Sequence, residues 1–203
     1  MLEPTLSPEY LLERARAGES VAVGELLVQY HNYLRLMART QLGSTPMVRV
    51  DPSDLVQEAF LEAYRDFPQF GGSTEAELLT WLRRILARNL ADRARYVKAE
   101  MRDHRRTHSL QTLLEQASYS VEAALAATAT TPSAAAGRRE RAVLLADAIE
   151  SLRADYREVV ILRNLEGLKF SEVATRMGRS SGAVRMLWAR AIERLSEVLE
   201  GAV

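Results

Sequence analysis

Four arginines, Arg176, Arg179, Arg185 and Arg190, stand between Ser171 and Ala191 against a single acid, Glu172. A guanidinium is a planar fork of donors that matches phosphate oxygens and the major-groove edge of guanine. The chemistry this implies is recognition of a polyanion, with no bond made or broken. A second set is acidic. Asp54, Glu58 and Glu62 recur at helical spacing with Gln57 beside them, which puts their side chains along one helix face. Such a face can grip a cationic protein surface. It could also ligate a metal, but no Glu-x-x-His partner stands on another helix, as a di-metal bundle requires. A third set is basic and aromatic. Arg83, Arg84, Arg88 and Arg95 come after Phe70 and Trp81 and lead to Tyr96. Phosphate attraction beside rings suits single-stranded nucleic acid, although Trp81 lies on an apolar stripe and also fits core packing.

The chain that carries these sets has 203 residues and a formal net charge of zero, 27 Lys and Arg balancing 27 Asp and Glu. The balance hides a sorting. From Asp51 to Leu79 seven acids face one base, and from Arg83 to His108 nine bases face three acids. Blocks of opposite sign suggest two partners of opposite charge. With no cysteine there is no disulfide or thiolate metal site, and a reducing compartment is expected. No apolar run approaches the roughly 20 residues of a membrane span, and the acid-bearing start lacks the apolar stretch of a signal peptide. The expected location is cytoplasmic, without membrane insertion. There is no P-loop, HExxH, G-x-S-x-G or cysteine nucleophile, and His31, His104 and His108 are scattered. The expected protein is not an enzyme and needs no metal or cofactor.

The fold class is set by composition and period. Ala, Leu, Arg and Glu dominate and Gly and Pro are sparse, which favours an all-α chain. Helices are expected over 9–18 and 21–42, broken near Gly18. Asp51 should cap the next helix, with Pro52 at its first position. That helix should bury Val56, Ala59, Phe60, Ala63, Tyr64 and Phe67. Thr74 and Glu77 form a capping box for a long helix from about Glu75 to Arg102, striped by Leu78, Leu82 and Ile85. The Ala- and Thr-rich stretch after it reads as a tether around Thr128–Gly137. "VLLADAIESL" and "YREVVILRNL" then give two helices, the second ended by Gly167. The expectation is two small helical domains, 1–108 and 138–203, joined by a flexible linker over 109–137.

The arginine-rich stretch itself reads as a helix-turn-helix. Val173, Ala174 and Met177 face the core from the first helix, Gly178 turns the chain, Ser180 caps the second helix, and Val184, Leu187 and Ile192 anchor it. Ser181, Arg185, Met186, Ala189 and Arg190 are left on the outer face. Arg185 has the reach for a guanine edge. Arg176, Arg179, Arg190 and Arg194 suit phosphates. Trp188 fits packing better than base stacking.

"DPSDLVQEAFLEAYRDFPQF" with "TWLRRILARNLADRAR", and "IESLRADYREVVILRNLEGLKFSEVATRMGRSSGAVRMLWARAIERL" further on, resemble domains 2 and 4 of bacterial RNA polymerase sigma factors. With only a tether between them, the chain is similar to the extracytoplasmic function (ECF) subfamily of the sigma-70 family. The resemblance implies a promoter-specificity subunit of core RNA polymerase. Asp54, Gln57, Glu58 and Glu62 would meet the polymerase clamp. Arg84, Arg88, Asn89 and Arg95 would meet the −10 element, opened to single strands. Arg179, Ser180, Ser181, Arg185, Met186 and Arg190 would meet the −35 element as duplex, with domain 4 also touching the polymerase flap. An anti-sigma factor is a further partner that the resemblance leaves room for. The alternative is a stand-alone helix-turn-helix regulator, which leaves the acidic helix unexplained.

Overall fold

The computed structural model describes residues 6–43, 51–101 and 132–201, with 43, 96–101 and 132–140 described by backbone alone. All regular structure among these residues is helical. The chain divides into two compact units, Met1–Leu110 and Gln111–Val203.

Among the described residues, the N-terminal unit contains five α-helices: α1 (Pro8–Arg16), α2 (Ser20–Gln29), α3 (His31–Gly43), α4 (Pro52–Asp66) and α5 (Glu75–Met101). The single helix expected over 21–42 is two, because the chain leaves helical geometry at Tyr30 (φ −99°, ψ 5°). The corner is held from inside. The Tyr30 phenol is buried and donates to Glu75 Oε1 at 3.1 Å. Burial, first, and then the Glu75 carboxylate push that phenol well above its ordinary value, so it stays a donor. The α4 N-terminus is as its sequence requires. Asp51 Oδ1 accepts from the Ser53 amide at 2.8 Å, and Pro52 gives up an N–H that has no helical partner.

α4 packs against both α3 and α5. Ala59 and Ala63 are fully buried on it, and their small side chains let its neighbours come close. The α4 stripe is rotated from the expected one. Leu55 is buried with Val56, Phe60 is half-buried, and Tyr64 is 49% exposed. A stripe more than two residues wide has ambiguous edges, and here the core took the Leu55 side. A 3₁₀ turn, Phe67–Gln69, ends α4. The capping box then starts α5: the Glu77 amide donates to Thr74 Oγ1 at 3.3 Å, and Glu77 Oε2 accepts from the Thr74 amide at 3.1 Å. The Phe70 ring lies against Gly72, where any Cβ would collide with the ring and sit 2.9 Å from Glu77 Cβ.

The C-terminal unit contains α6 (Pro132–Ser151), α7 (Ala154–Val160), α8 (Phe170–Met177) and α9 (Ser181–Glu200). Residues 132–137, expected to be tether, are the first residues of α6. Pro132 sits at its start, and three successive alanines favour helix more than the low charge of the stretch suggested. The rest of the expected linker, 109–131, lies outside the described residues, as do His104 and His108. Arg157 clamps the α6–α7 corner, donating to the carbonyls of Glu150 (2.8 Å) and Leu152 (3.0 Å) and pairing with the Glu150 carboxylate at 2.9 Å. α7 does not continue as α-helix to Gly167. Ile161–Leu165 widens into a π turn, in which the Glu166 amide donates to Ile161 O at 2.9 Å. α9 packs on α7, α8 and α6 through Val184, Leu187, Ala191 and Leu195, all buried. Met177 and Ile192, expected in the core, are half-buried.

Candidate functional site

In the C-terminal unit, α8 and α9 are built as a helix-turn-helix. Glu172 Oε2 accepts from the Lys169 amide at 2.6 Å, so a carboxylate three residues on satisfies the α8 entry although Lys169 has no acceptor to offer. Gly178 ends α8 at φ +62°, a conformation that favours glycine, and the Arg179 amide donates back to Ala174 O at 3.0 Å. Ser180 Oγ accepts from the Ala183 amide at 3.2 Å and starts α9. Val173 and Ala174 are buried against it.

These elements leave Arg185, Met186, Ala189 and Arg190 exposed on α9, with Ser181 half-buried at its start. Met186 is 59% exposed, a large apolar side chain that no neighbour covers. The arginines of α8 and the turn are held by acids behind them. Arg176 pairs with Glu166 at 2.8 Å and Arg179 with Asp155 at 2.6 Å. On the far end of α9, Arg194 pairs with Glu197 at 2.6 Å. Trp188 is a packing residue whose indole N–H donates to Asn164 Oδ1 at 2.9 Å and whose ring meets Phe170 edge-on at 5.7 Å. Sequence reasoning missed Phe170 and Asn164. An aromatic residue at the first position of α8 was the available signal for Phe170. Nothing local marks Asn164, because its position depends on the π turn.

The N-terminal unit places its two charged sets side by side. Asp54 and Gln57 are exposed near the start of α4. Further along the helix, Glu58 pairs with Arg93 and Glu62 with Arg88, both across to α5. Hydrogen bonding to Glu58, its largest cause, raises the Arg93 guanidinium further. Glu58, Glu62, Asn89, Asp92 and Arg93 line a pocket of about 470 Å³ between the two helices. The residues expected to face two different partners therefore share one seam. Spacing along each helix gave their faces, and the packing of α4 on α5 turned those faces toward each other. Arg84 is exposed and Arg95 pairs with Asp92.

Trp81 is half-buried and forms a cluster with Phe70 (centroids 5.0 Å apart) and Phe67 (6.1 Å), beside the Gly71–Gly72 loop. The Tyr96 side chain lies outside the described residues. Among the described residues, no group of three or more His, Asp or Glu is arranged to hold a metal ion, and no helix is long and apolar enough to cross a membrane.

A glycine-turned, doubly capped helix pair with an exposed arginine face is the arrangement of a helix-turn-helix. The chain belongs to the ECF sigma factors, whose family profile ("ECF sigma factor") matches residues 9–201. It is 32% identical over 197 residues to the ECF RNA polymerase sigma-E factor of Escherichia coli K12, covering 96% of this chain and 95% of that one. It is 31% identical over 196 residues to the sigma-E factor of Haemophilus influenzae, covering 96% of both. A solved structure of CnrH in complex with the cytosolic domain of CnrY matches 97% of this chain and 99% of that one at 22% identity, with a TM-score of 0.36, so family membership rests on the sequence matches.

Proposed function

We propose that this ECF sigma factor divides the work of a promoter-specificity subunit between its two units. In the N-terminal unit Asp54, Gln57, Glu58 and Glu62 dock on the clamp of core RNA polymerase. Arg84, Arg88, Asn89 and Arg95 take the −10 element and hold its opened strand. In the C-terminal unit Arg179, Ser180, Ser181, Arg185, Met186 and Arg190 take the −35 duplex, and the unit also touches the polymerase flap. An anti-sigma factor is the third partner this reading admits, and the cytoplasm is where such a subunit works. The chain contributes binding and positioning; the polymerase does the chemistry.

The observation that carries this reading is the exposed α9 face. Arg185, Met186, Ala189 and Arg190 lie together on the helix that a helix-turn-helix inserts into the major groove. The seam in the other unit is compatible with it on magnitude. An exposed ion pair is worth about 0–1 kcal/mol. In the Arg88–Glu62 pair the arginine is 57% exposed but the carboxylate only 17%, so exchanging Glu62 for a phosphate costs more than a surface pair would, and the counterion release that drives nucleic-acid binding must exceed that cost.

Run-off transcription tests the whole assignment. Core polymerase with this chain, given genomic promoter fragments, is expected to start at sites that core alone does not use. No added start sites would overturn it. Co-purification with core polymerase separates this reading from a stand-alone regulator, which would bind DNA without the polymerase.

A further inference from the structure

The geometry points to Phe170 as the residue that positions Arg185 for reading a base edge in the −35 duplex. Phe170 opens α8, yet its ring is a meeting point for three side chains from two other elements. The Arg185 guanidinium carbon, from α9, lies 5.7 Å from the ring centroid. That of Arg163, from the π turn, lies 4.8 Å away. The Trp188 ring meets it edge-on at 5.7 Å.

Two of these three contacts are anchored elsewhere. Arg163 donates to Leu168 O at 3.1 Å, and the Trp188 indole N–H donates to Asn164 Oδ1 at 2.9 Å. The ring is thus fixed by groups that are themselves fixed. Arg185 is the exposed member of the set, and a guanidinium over an aromatic face is attracted by the ring's negative quadrupole. Arginine has several rotatable bonds whose freedom must be lost on binding. A rigid platform removes part of that loss before DNA arrives, which is how preorganisation raises affinity. It also fixes the approach of a planar fork whose value in base recognition is directional. Arg179 is held differently, by the Asp155 carboxylate at 2.6 Å, which competes with phosphate. An aromatic ring holds the guanidinium without occupying its donors.

The proposal rests on the reading that Arg185 contacts bases, and the test separates the two. Holoenzyme assembled from core polymerase and the full chain would select duplexes from a pool randomised over the −35 position. Wild type, Phe170→Leu, Phe170→Tyr, Arg185→Ala and the Phe170→Leu/Arg185→Ala double variant would then be compared on the selected duplex and its single-base-pair substitutions. Phe170→Leu is expected to weaken the selected duplex about 2- to 5-fold, the size of an exposed cation–π contact. It should also flatten the preference at the base pair that Arg185→Ala affects. Phe170→Tyr should restore both, and Phe170→Leu should add nothing in the Arg185→Ala background, the signature of residues acting as a unit.

A Phe170→Leu penalty that persists undiminished without Arg185 would overturn the proposal, since the ring would then act through the fold or through its own DNA contact. So would Phe170→Leu ranking duplexes as wild type does while Arg185→Ala does not. If Arg185→Ala ranks them as wild type, the base-reading assignment fails, and the positioning role with it. Should Phe170→Leu not fold by circular dichroism, Phe170→Met, which keeps bulk without a ring, carries the same comparison.

Discussion

In the N-terminal unit the arginines of α5 meet the carboxylates of α4, Arg88 on Glu62 and Arg93 on Glu58. In the C-terminal unit the arginines around the turn are pinned from behind, Arg176 by Glu166 and Arg179 by Asp155, while Arg185 and Arg190 stand exposed on α9. The contrast is one of readiness. A cation that already has a carboxylate must exchange it for a phosphate. A cation resting on a ring, as Arg185 rests on Phe170, keeps its donors free. Under the proposed division of labour, the first arrangement ties protein docking and DNA contact to the same seam, and the second gives one helix to DNA.

The comparison can be broken most forcefully at a core position. Leu82→Ala removes a fully buried side chain on α5 and should cost about 2–5 kcal/mol. Chemical denaturation followed by circular dichroism should show the loss, with affinity for a −35 duplex retained under native conditions. Arg185→Ala comes next. Loss of a good base contact is worth about 1–3 kcal/mol, read as weaker −35 duplex binding in a titration with core polymerase binding unchanged. Equal loss of both would dissolve the division of labour.

Matched caps sharpen the comparison. Thr74→Ala and Ser180→Ala should each cost about 1 kcal/mol in thermal unfolding, but only Ser180→Ala should also weaken −35 binding. Glu62→Gln should cost some stability, because the Glu62 side chain is only 17% exposed in its pair with Arg88, while raising affinity for a single-stranded −10 oligonucleotide, because Arg88 is released. A drop in that affinity would mean that Glu62 orients Arg88 and does not compete for it.

The smallest effect concerns acid. Hydrogen bonds from the Ser73 amide, first, and then from Thr74 hold the Glu77 carboxyl below its ordinary range. A depressed carboxyl stabilises above its unfolded pKa of about 4.3 and loses that contribution as pH falls through the lower folded value. Glu77→Gln should therefore shallow the acid side of the stability profile and leave the neutral side shifted by a constant amount.

Much of this was readable before the fold. The caps at Asp51, Thr74 and Ser180 and the turn at Gly178 are local devices, specified within four residues, and each stands as its sequence implied. The all-α class came from the same local preferences. What local pattern could not give was the meeting of distant faces. Glu58 and Glu62 lie along one face of α4, but only its packing on α5 decides that they look at Arg93 and Arg88. The rotation of the α4 stripe toward Leu55, the break at Tyr30 and the Phe170 platform have the same origin. Each depends on contacts between residues far apart in sequence, and the Tyr30–Glu75 bond spans 45 positions.

The π turn at Ile161–Leu165 carries a consequence of another kind. By fitting one more residue into a turn it sets the phase between α7 on one side and the approach to α8 on the other. Asn164 reaches the Trp188 indole, and Leu162 and Leu165 face inward, only at that phase. Removing one residue from the stretch would let it close to ordinary pitch with its flanks nearly in phase, because a π turn is a helical turn with one residue added. The wide turn that carries Asn164 to the indole would be lost with it, so a deletion there should show first as loss of that contact.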